Sequence, residues 1–286
     1  MDTPVSKHKK FSRDAELFCA RHLFSSDRDL YRIALYAPSY APPSKRGAIT
    51  ALFLLLTEIE KIPSLVSEQT MGHLRLKWWY DSLSHNKTAP QNEQTLLLAA
   101  LKTGIADGVL KPDALLALIE VMQEDLSPTP FNTAQDFIAY QTRKASAIAA
   151  CAPCLWGENP EGSDHNALLS LLCLRVFKHM ARSTAVLQKN TCTSLARLHQ
   201  FDGAALENGA VNPAFIKVLK DMVAALPPIP KEGKATTKDN ASRFVAAIAA
   251  SATIGLQRLN TEKTMIFSPR FQNFGGVDVL RFWWLV

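Results

Sequence analysis

The chain reads as all-α. Apolar residues recur at spacings of three and four along most of its length, and runs of Val, Ile, Thr and Tyr with two-residue alternation are hard to find. Proline-marked connections separate the periodic segments, as loops between helices require. With 286 residues, 47% of them hydrophobic and 20% charged, the chain is long enough to bury a substantial core and too apolar to be disordered as a whole.

The elements follow in order. Phe11 to Phe24 and Asp27 to Tyr36 form two short helices, closed by the connection Ala37-Pro38-Ser39-Tyr40-Ala41-Pro42-Pro43. Ser44 then caps a helix running through Ala48, Leu52, Leu55, Leu56 and Ile59 until Pro63 stops it. Ser67 caps the next, with Glu68 in its first turn, where the helix dipole favours an anion. Thr95 to Ala106 is rich in Leu and Ala, and Pro112 stands at the first position of a helix from Asp113 to Asp125. Ser127-Pro128-Thr129-Pro130 is a loop, after which Thr133 and Asp136 make a capping box for a helix reaching Cys151. Ser163 caps a long helix from Asp164 to about Gln188. Asn212-Pro213 begins another that ends near Pro227, residues 227–240 form a flexible loop, and Ala241 to Leu259 is a small-residue helix suited to close packing. About ten helices result, with no internal repeat and no clear domain boundary.

Composition narrows the function classes only slightly. No apolar stretch reaches the ~20 residues of a membrane span, and the polar start MDTPVSKHKKFSRD has no apolar core of a secretory signal. Five cysteines, Cys19, Cys151, Cys154, Cys173 and Cys192, are scattered and odd in number, so reduced thiols and a cytoplasmic setting are expected. The formal charge of +6 suits an anionic small molecule or an anionic membrane surface without specifying either. There is no P-loop, no GxGxxG and no HExxH, and the basic residues are not interleaved with aromatics as nucleic-acid binding would ask.

The most informative window runs from Asp27 to Leu83. Its two main helices are joined by a turn of a few residues and should lie antiparallel in contact, so that Glu58 meets Arg75 across the pair. On the second helix Glu68, Gly72, Arg75 and Trp79 share one face, with Met71, Leu74 and Trp78 on the adjacent one, and Gly72 lets the partner helix come close. An ion pair inside a helical hairpin is the simplest account of these residues.

The same window resembles the squalene/phytoene synthase family, and within it a divergent branch similar to a mitochondrial complex I assembly factor. The matching residues are Ala51, Leu52, Phe53, Glu58, Ile59, Ile62, Val66, Ser67, Glu68, Gly72, Arg75, Leu76, Trp78 and Trp79, without a gap from Glu58 to Trp79 and preceded by Asp27-Arg28-Asp29-Leu30-Tyr31. Tyr140 and Thr142 match more weakly, and the last third matches poorly. The resemblance implies one domain over residues 1–286, a terpenoid synthase-like helical bundle around a central apolar cavity. It also implies, for active members, a head-to-head condensation of two allylic diphosphates.

That chemistry needs two carboxylate-rich helices facing each other, because Mg²⁺ ions bridge carboxylates to diphosphate oxygens. Here the first motif is reduced to Glu58 and Glu60, with Lys61 and Ser64 where further aspartates belong. The second is replaced by Arg175-Val176-Phe177-Lys178-His179-Met180-Ala181-Arg182, and Asn166 to Phe201 contains no Asp or Glu. A metal cluster with carboxylates on one side and Lys178 and Arg182 on the other is electrostatically unfavourable. The expectation is therefore a member with degenerate aspartate motifs, non-catalytic and requiring no cofactor, that binds an isoprenoid or lipid or serves as an assembly factor. The competing reading is a working Mg²⁺-dependent isoprenyl diphosphate transferase. No catalytic or metal-ligating residue is assigned. The candidate binding residues are Glu58, Glu60, Arg75, Trp79 and Arg182, and the implied partners are an isoprenoid diphosphate or lipid, a respiratory complex I subunit and the membrane surface, but no nucleic acid.

Three weaker signals complete the reading. Cys151-Ala152-Pro153-Cys154 has redox-motif spacing but lacks the βαβ context, so a structural role is expected. Arg175, His179 and Arg182 form a basic stripe, read as a solvated face unless it turns to the cavity. The end, Val279-Leu280-Arg281-Phe282-Trp283-Trp284-Leu285-Val286, covers the core or dips into a membrane interface.

Overall fold

A helix that is apolar on every side has to be surrounded by other helices, and residues Ala48 to Thr57 make such a helix, each of them buried. The computed structural model describes residues 4–37, 45–84, 93–126, 133–156, 163–182, 223–227 and 240–261. Its helices are α1 (Pro4–Ser26), α2 (Arg28–Ala34), α3 (Lys45–Leu65), α4 (Gln69–Ser84), α5 (Glu93–Ala106), α6 (Pro112–Met122), α7 (Ala134–Cys151), α8 (Pro153–Trp156), α9 (Ser163–Arg182) and α10 (Asn240–Thr261), with a 3₁₀ turn at Gln123–Leu126. Every regular element among the described residues is helical, which is the expected fold class.

The central helix α3 is wrapped by α1, α2, α4 and α5, while α6 packs on α7, α7 on α9 and α9 on α10. One continuous hydrophobic core runs from Ala15 on α1 to Ile254 on α10. Its two ends are tied across the middle where Phe53 of α3 stacks on Phe244 of α10, with ring centroids 6.2 Å apart. The small-residue character of α10 is used at Gly255, where a Cβ would stand 2.6 Å from Leu174 Cδ1 of α9.

Local capping chemistry sets several boundaries as expected. Thr133 and Asp136 form the capping box, with Asp136 N–H donating to Thr133 Oγ1 at 3.1 Å and Thr133 N–H to Asp136 Oδ2 at 3.0 Å. Pro112 opens α6 at its first turn. Other boundaries differ: α1 begins at Pro4 rather than at Phe11, and two more depart at the turn between α3 and α4. Helix α3 does not stop at Pro63 but continues to Leu65. A proline so near a helix end forfeits a single backbone donor, and Ser64 Oγ donates to the terminal carbonyl of Lys61 at 2.7 Å. Helix α4 begins at Gln69, one residue later than a Ser67 cap would set it, with the Glu68 carbonyl accepting from Met71 and Gly72 N–H. Of the helix after Asn212 only the end is described, helical at 223–225 and finished by Pro227 as expected; the Ser44 cap, the rest of that helix, most of the 227–240 loop, the C-terminal aromatic segment and part of any central cavity lie outside the described residues.

Candidate functional site

Asp27 sits between α1 and α2 in extended conformation, and its Oδ1 accepts from the N–H groups of Asp29 and Leu30 at 3.1 and 2.9 Å, capping α2. That role fixes the carboxylate and leaves Oδ2 directed at Arg175 of α9, whose Nη1 donates to it. The other arm of the same guanidinium, Nη2, donates to Glu60 Oε2 near the end of α3. Glu60 Oε1 accepts in turn from Lys144 Nζ of α7 at 2.7 Å. Four elements thus converge on a chain of alternating charges, Asp27, Arg175, Glu60 and Lys144.

The network is buried. The side chains of Lys144, Arg175 and Glu60 are 3%, 4% and 9% exposed, so each charge is supported chiefly by its partners rather than by water. Burial by itself would pull the Arg175 guanidinium down. The carboxylates of Asp27 and Glu60 more than offset it and hold the group charged, above its ordinary value. Among the described residues Arg175 Nε has no hydrogen-bond partner. Close by on α7, burial followed by the Asp125 carboxylate pushes the Tyr140 phenol well above its usual range. Gln141, one turn before Lys144, is fully buried, and among the described residues neither of its amide atoms is hydrogen-bonded.

The expected binding residues are dispersed by this arrangement. Glu60 lies at its centre. Glu58 points elsewhere and pairs with Lys61, one turn along the same helix at 2.7 Å, with its side chain 39% exposed. Arg75 is exposed and does not meet Glu58, contrary to the hairpin expectation. The reason is the register of α4, which buries Gly72, Leu76, Trp79 and Leu83 and leaves Arg75 at the solvent edge of that face. Gly72 admits Leu126 rather than α3, since a Cβ there would lie 2.6 Å from Leu126 Cδ2. Trp79 is buried, edge-on to Trp78 with centroids 4.8 Å apart. Arg182 is the last residue of α9, and its side chain lies outside the described residues, as do those of Lys178 and His179.

Three members of the network were not singled out as site residues by sequence. Arg175 was placed on a solvated basic stripe, and this is corrected by its burial against two carboxylates. Lys144 carried a usable signal, since it shares the three-and-four face of Phe137, Tyr140, Gln141 and Ile148, where an isolated lysine requires a buried anion. Asp27 stood at the head of a family-like segment but with no role attached.

A hard divalent cation requires several carboxylate or carbonyl oxygens free to coordinate it. Here both oxygens of Glu60 are bonded to cations, one oxygen of Asp27 faces Arg175 and the other caps a helix. Among the described residues no three His, Cys, Asp or Glu side chains are grouped as metal ligands. The donor set does not fit Mg²⁺. The CxxC pair is likewise structural in its contacts: Cys151 Sγ donates to the Ala147 carbonyl at 3.2 Å, and burial pushes its thiol up. Cys154 Sγ contacts the Val109 carbonyl at 3.8 Å, so each sulfur is turned to a backbone oxygen of its own surroundings.

The fold is similar to a solved structure, that of YisP from Bacillus subtilis subsp. subtilis strain 168, with a TM-score of 0.55 and 13% identity over 97% of this chain and 98% of that one. No match was found among curated proteins. The sequence model of the squalene/phytoene synthase family matches residues 27–263, a span holding Asp27, Glu60, Lys144 and Arg175. With that span covered and the helical architecture in agreement, the chain belongs to the squalene/phytoene synthase family.

Proposed function

We propose that this chain is a non-catalytic member of its family, a binding or assembly factor that keeps the helical scaffold and has given up metal-dependent condensation. The observation that carries the reading is Glu60. Where a synthase would present carboxylate oxygens to Mg²⁺, this chain presents them to Lys144 and Arg175. Cations placed there oppose a second positive ion by direct repulsion, and the low-dielectric setting strengthens the opposition. No cofactor is needed on this reading. An isoprenoid or lipid is the ligand class that an apolar helical bundle suits, and the resemblance of the Glu58 to Trp79 hairpin to the divergent branch favours assembly of respiratory complex I as the role. The same resemblance favours a place at the membrane periphery, on the cytoplasmic side; among the described residues no helix is long and apolar enough to cross a membrane.

Two experiments test the reading. Incubation with farnesyl or geranylgeranyl diphosphate and Mg²⁺ should release no diphosphate above a protein-free control, and sustained release overturns it in favour of an active transferase. Deletion of the gene should lower complex I activity while leaving carotenoid and hopanoid content unchanged. The reverse pattern would mean that the protein supplies an isoprenoid product.

A further inference from the structure

Helix α1 has two unlike sides. Ala15, Cys19 and Leu23 are buried, and the helix packs on α3 and α5. The opposite side carries Arg13, Leu17, Arg21 and Phe24, at helical spacings of four, four and three; Arg28, the first residue of α2, adjoins it at Phe24, and Leu35, the C-cap residue of α2 seven positions on, is exposed on the same side of α2 as Arg28. Leu17, Phe24 and Leu35 are 60%, 48% and 42% exposed, a large apolar outlay for one strip of surface. All three arginines are exposed, and among the described residues none of them is in an ion pair. Arg28 lies over the Phe24 ring at 5.2 Å, and the edge of Tyr31 meets the same ring at 5.3 Å. Asp14 is the exposed carboxylate bordering the strip, whereas Glu16 turns inward to Gly47. Upstream on the same helix the sequence runs Lys7-His8-Lys9-Lys10.

We propose that this strip docks the protein on the surface of an anionic phospholipid bilayer. Cations alternate with apolar side chains along α1 from Arg13 to Phe24, over the ~17 Å that eleven helical steps span, and Arg28 of α2 adds a third cation over the Phe24 ring. That is the pattern of a helix lying in the plane of an interface, with apolar groups entering the acyl boundary and guanidinium groups forking onto phosphate oxygens. A protein-binding patch would instead gather its apolar residues at a centre and put its charges at a rim. The arginine stems add apolar length beneath their charged heads. Three apolar side chains give no permanent anchor, so docking is reversible and dominated by charge. The proposal does not rest on the non-catalytic reading, since an active transferase would dock in the same way.

The test is co-sedimentation of the full chain with vesicles of pure phosphatidylcholine and with vesicles that include ~30% phosphatidylglycerol, which give the surface its negative potential. The chain should pellet with the anionic vesicles only, and be released by ~0.5 M salt as screening sets in. Arg13→Gln/Arg21→Gln/Arg28→Gln should lower the partition coefficient roughly 100-fold, at about fivefold per cation. Replacing the same three residues by lysine should keep most of the binding, and Lys77→Gln/Lys111→Gln, on other exposed positions, should leave it within about twofold. Leu17→Ser/Phe24→Ser should weaken it several-fold at low salt. Thermal melts confirm that each variant is folded. Equal binding by the glutamine variant, or pelleting with neither vesicle, overturns the proposal. So does capture of the native chain by soluble polyglutamate but not by vesicles, which would assign the strip to an acidic protein.

Discussion

At the scale of single residues, Glu60 decides the most. Both of its oxygens are committed to buried cations, and removing one member of such a network leaves its partners charged in an apolar setting. Glu60→Gln is therefore expected to cost about 3–5 kcal/mol in urea unfolding. The double change Glu60→Gln/Lys144→Met removes a complete pair, leaves Arg175 on Asp27, and should recover much of that loss. A single-variant cost below ~1 kcal/mol, typical of exposed pairs, would contradict the buried network. Glu16 supplies a pH-dependent counterpart. Burial, and then the nearby Asp107, raise its carboxyl above the ordinary range, in a small recess beside Gly47 and Thr103. The folded chain thus holds this proton more tightly than the unfolded chain does. Its contribution to stability is complete below the unfolded value of about 4.3 and is lost as pH rises through the folded one. Glu16→Gln should raise the melting temperature at neutral pH and bring no gain near pH 4, and an equal gain at both would exclude the carboxylate as the cause.

At the scale of elements, close approach rather than propensity sets the pairing of α9 and α10. An alanine at Gly255 would improve helix propensity by about 1 kcal/mol. Its Cβ would nevertheless fall 2.6 Å from Leu174 Cδ1, a side chain only 2% exposed and with little room to move. Overpacking of that kind costs about 1–3 kcal/mol. Gly255→Ala is expected to destabilise in chemical denaturation, and Gly255→Ala/Leu174→Ala to lose less than the sum of the single changes. The boundaries of the elements divide by the same logic. Those set by a cap or an N-terminal proline, at Thr133 and Pro112, were legible because the deciding groups lie within three residues of each other. The C-terminal end of α3 and the start of α4 were not, because a proline near a helix end forfeits only one donor, and the Ser64 hydroxyl and the Glu68 carbonyl settle the turn between them.

At the scale of the whole molecule, the fold brings the end of α3 within reach of α7, α9 and the cap of α2, and fills that meeting point with charges of both signs. Adding millimolar Mg²⁺ should accordingly leave the melting temperature unchanged, both for the chain alone and at a fixed concentration of an allylic diphosphate. A ligand at 100 times its dissociation constant would add about 2.7 kcal/mol. A clear rise with Mg²⁺ would locate carboxylates elsewhere in the chain that complete a metal site.

The amino-acid sequence by itself determined the all-helical class, the membership of a synthase-like family and the shortage of carboxylates on the helix that begins at Ser163. Those properties reside in periodicity, in a gapless motif and in residue identity, each readable along one dimension. It also placed Glu58 and Glu60 at the right point of α3. Only the tertiary structure separated them, because the two residue steps between them turn the side chain by about 200° around the helix, sending Glu58 to Lys61 and Glu60 to the interior. The partners Asp27, Lys144 and Arg175 are distant in sequence from Glu60 and from one another. Long-range charge pairing depends on which helices pack and in what rotation, and that information belongs to the core as a whole.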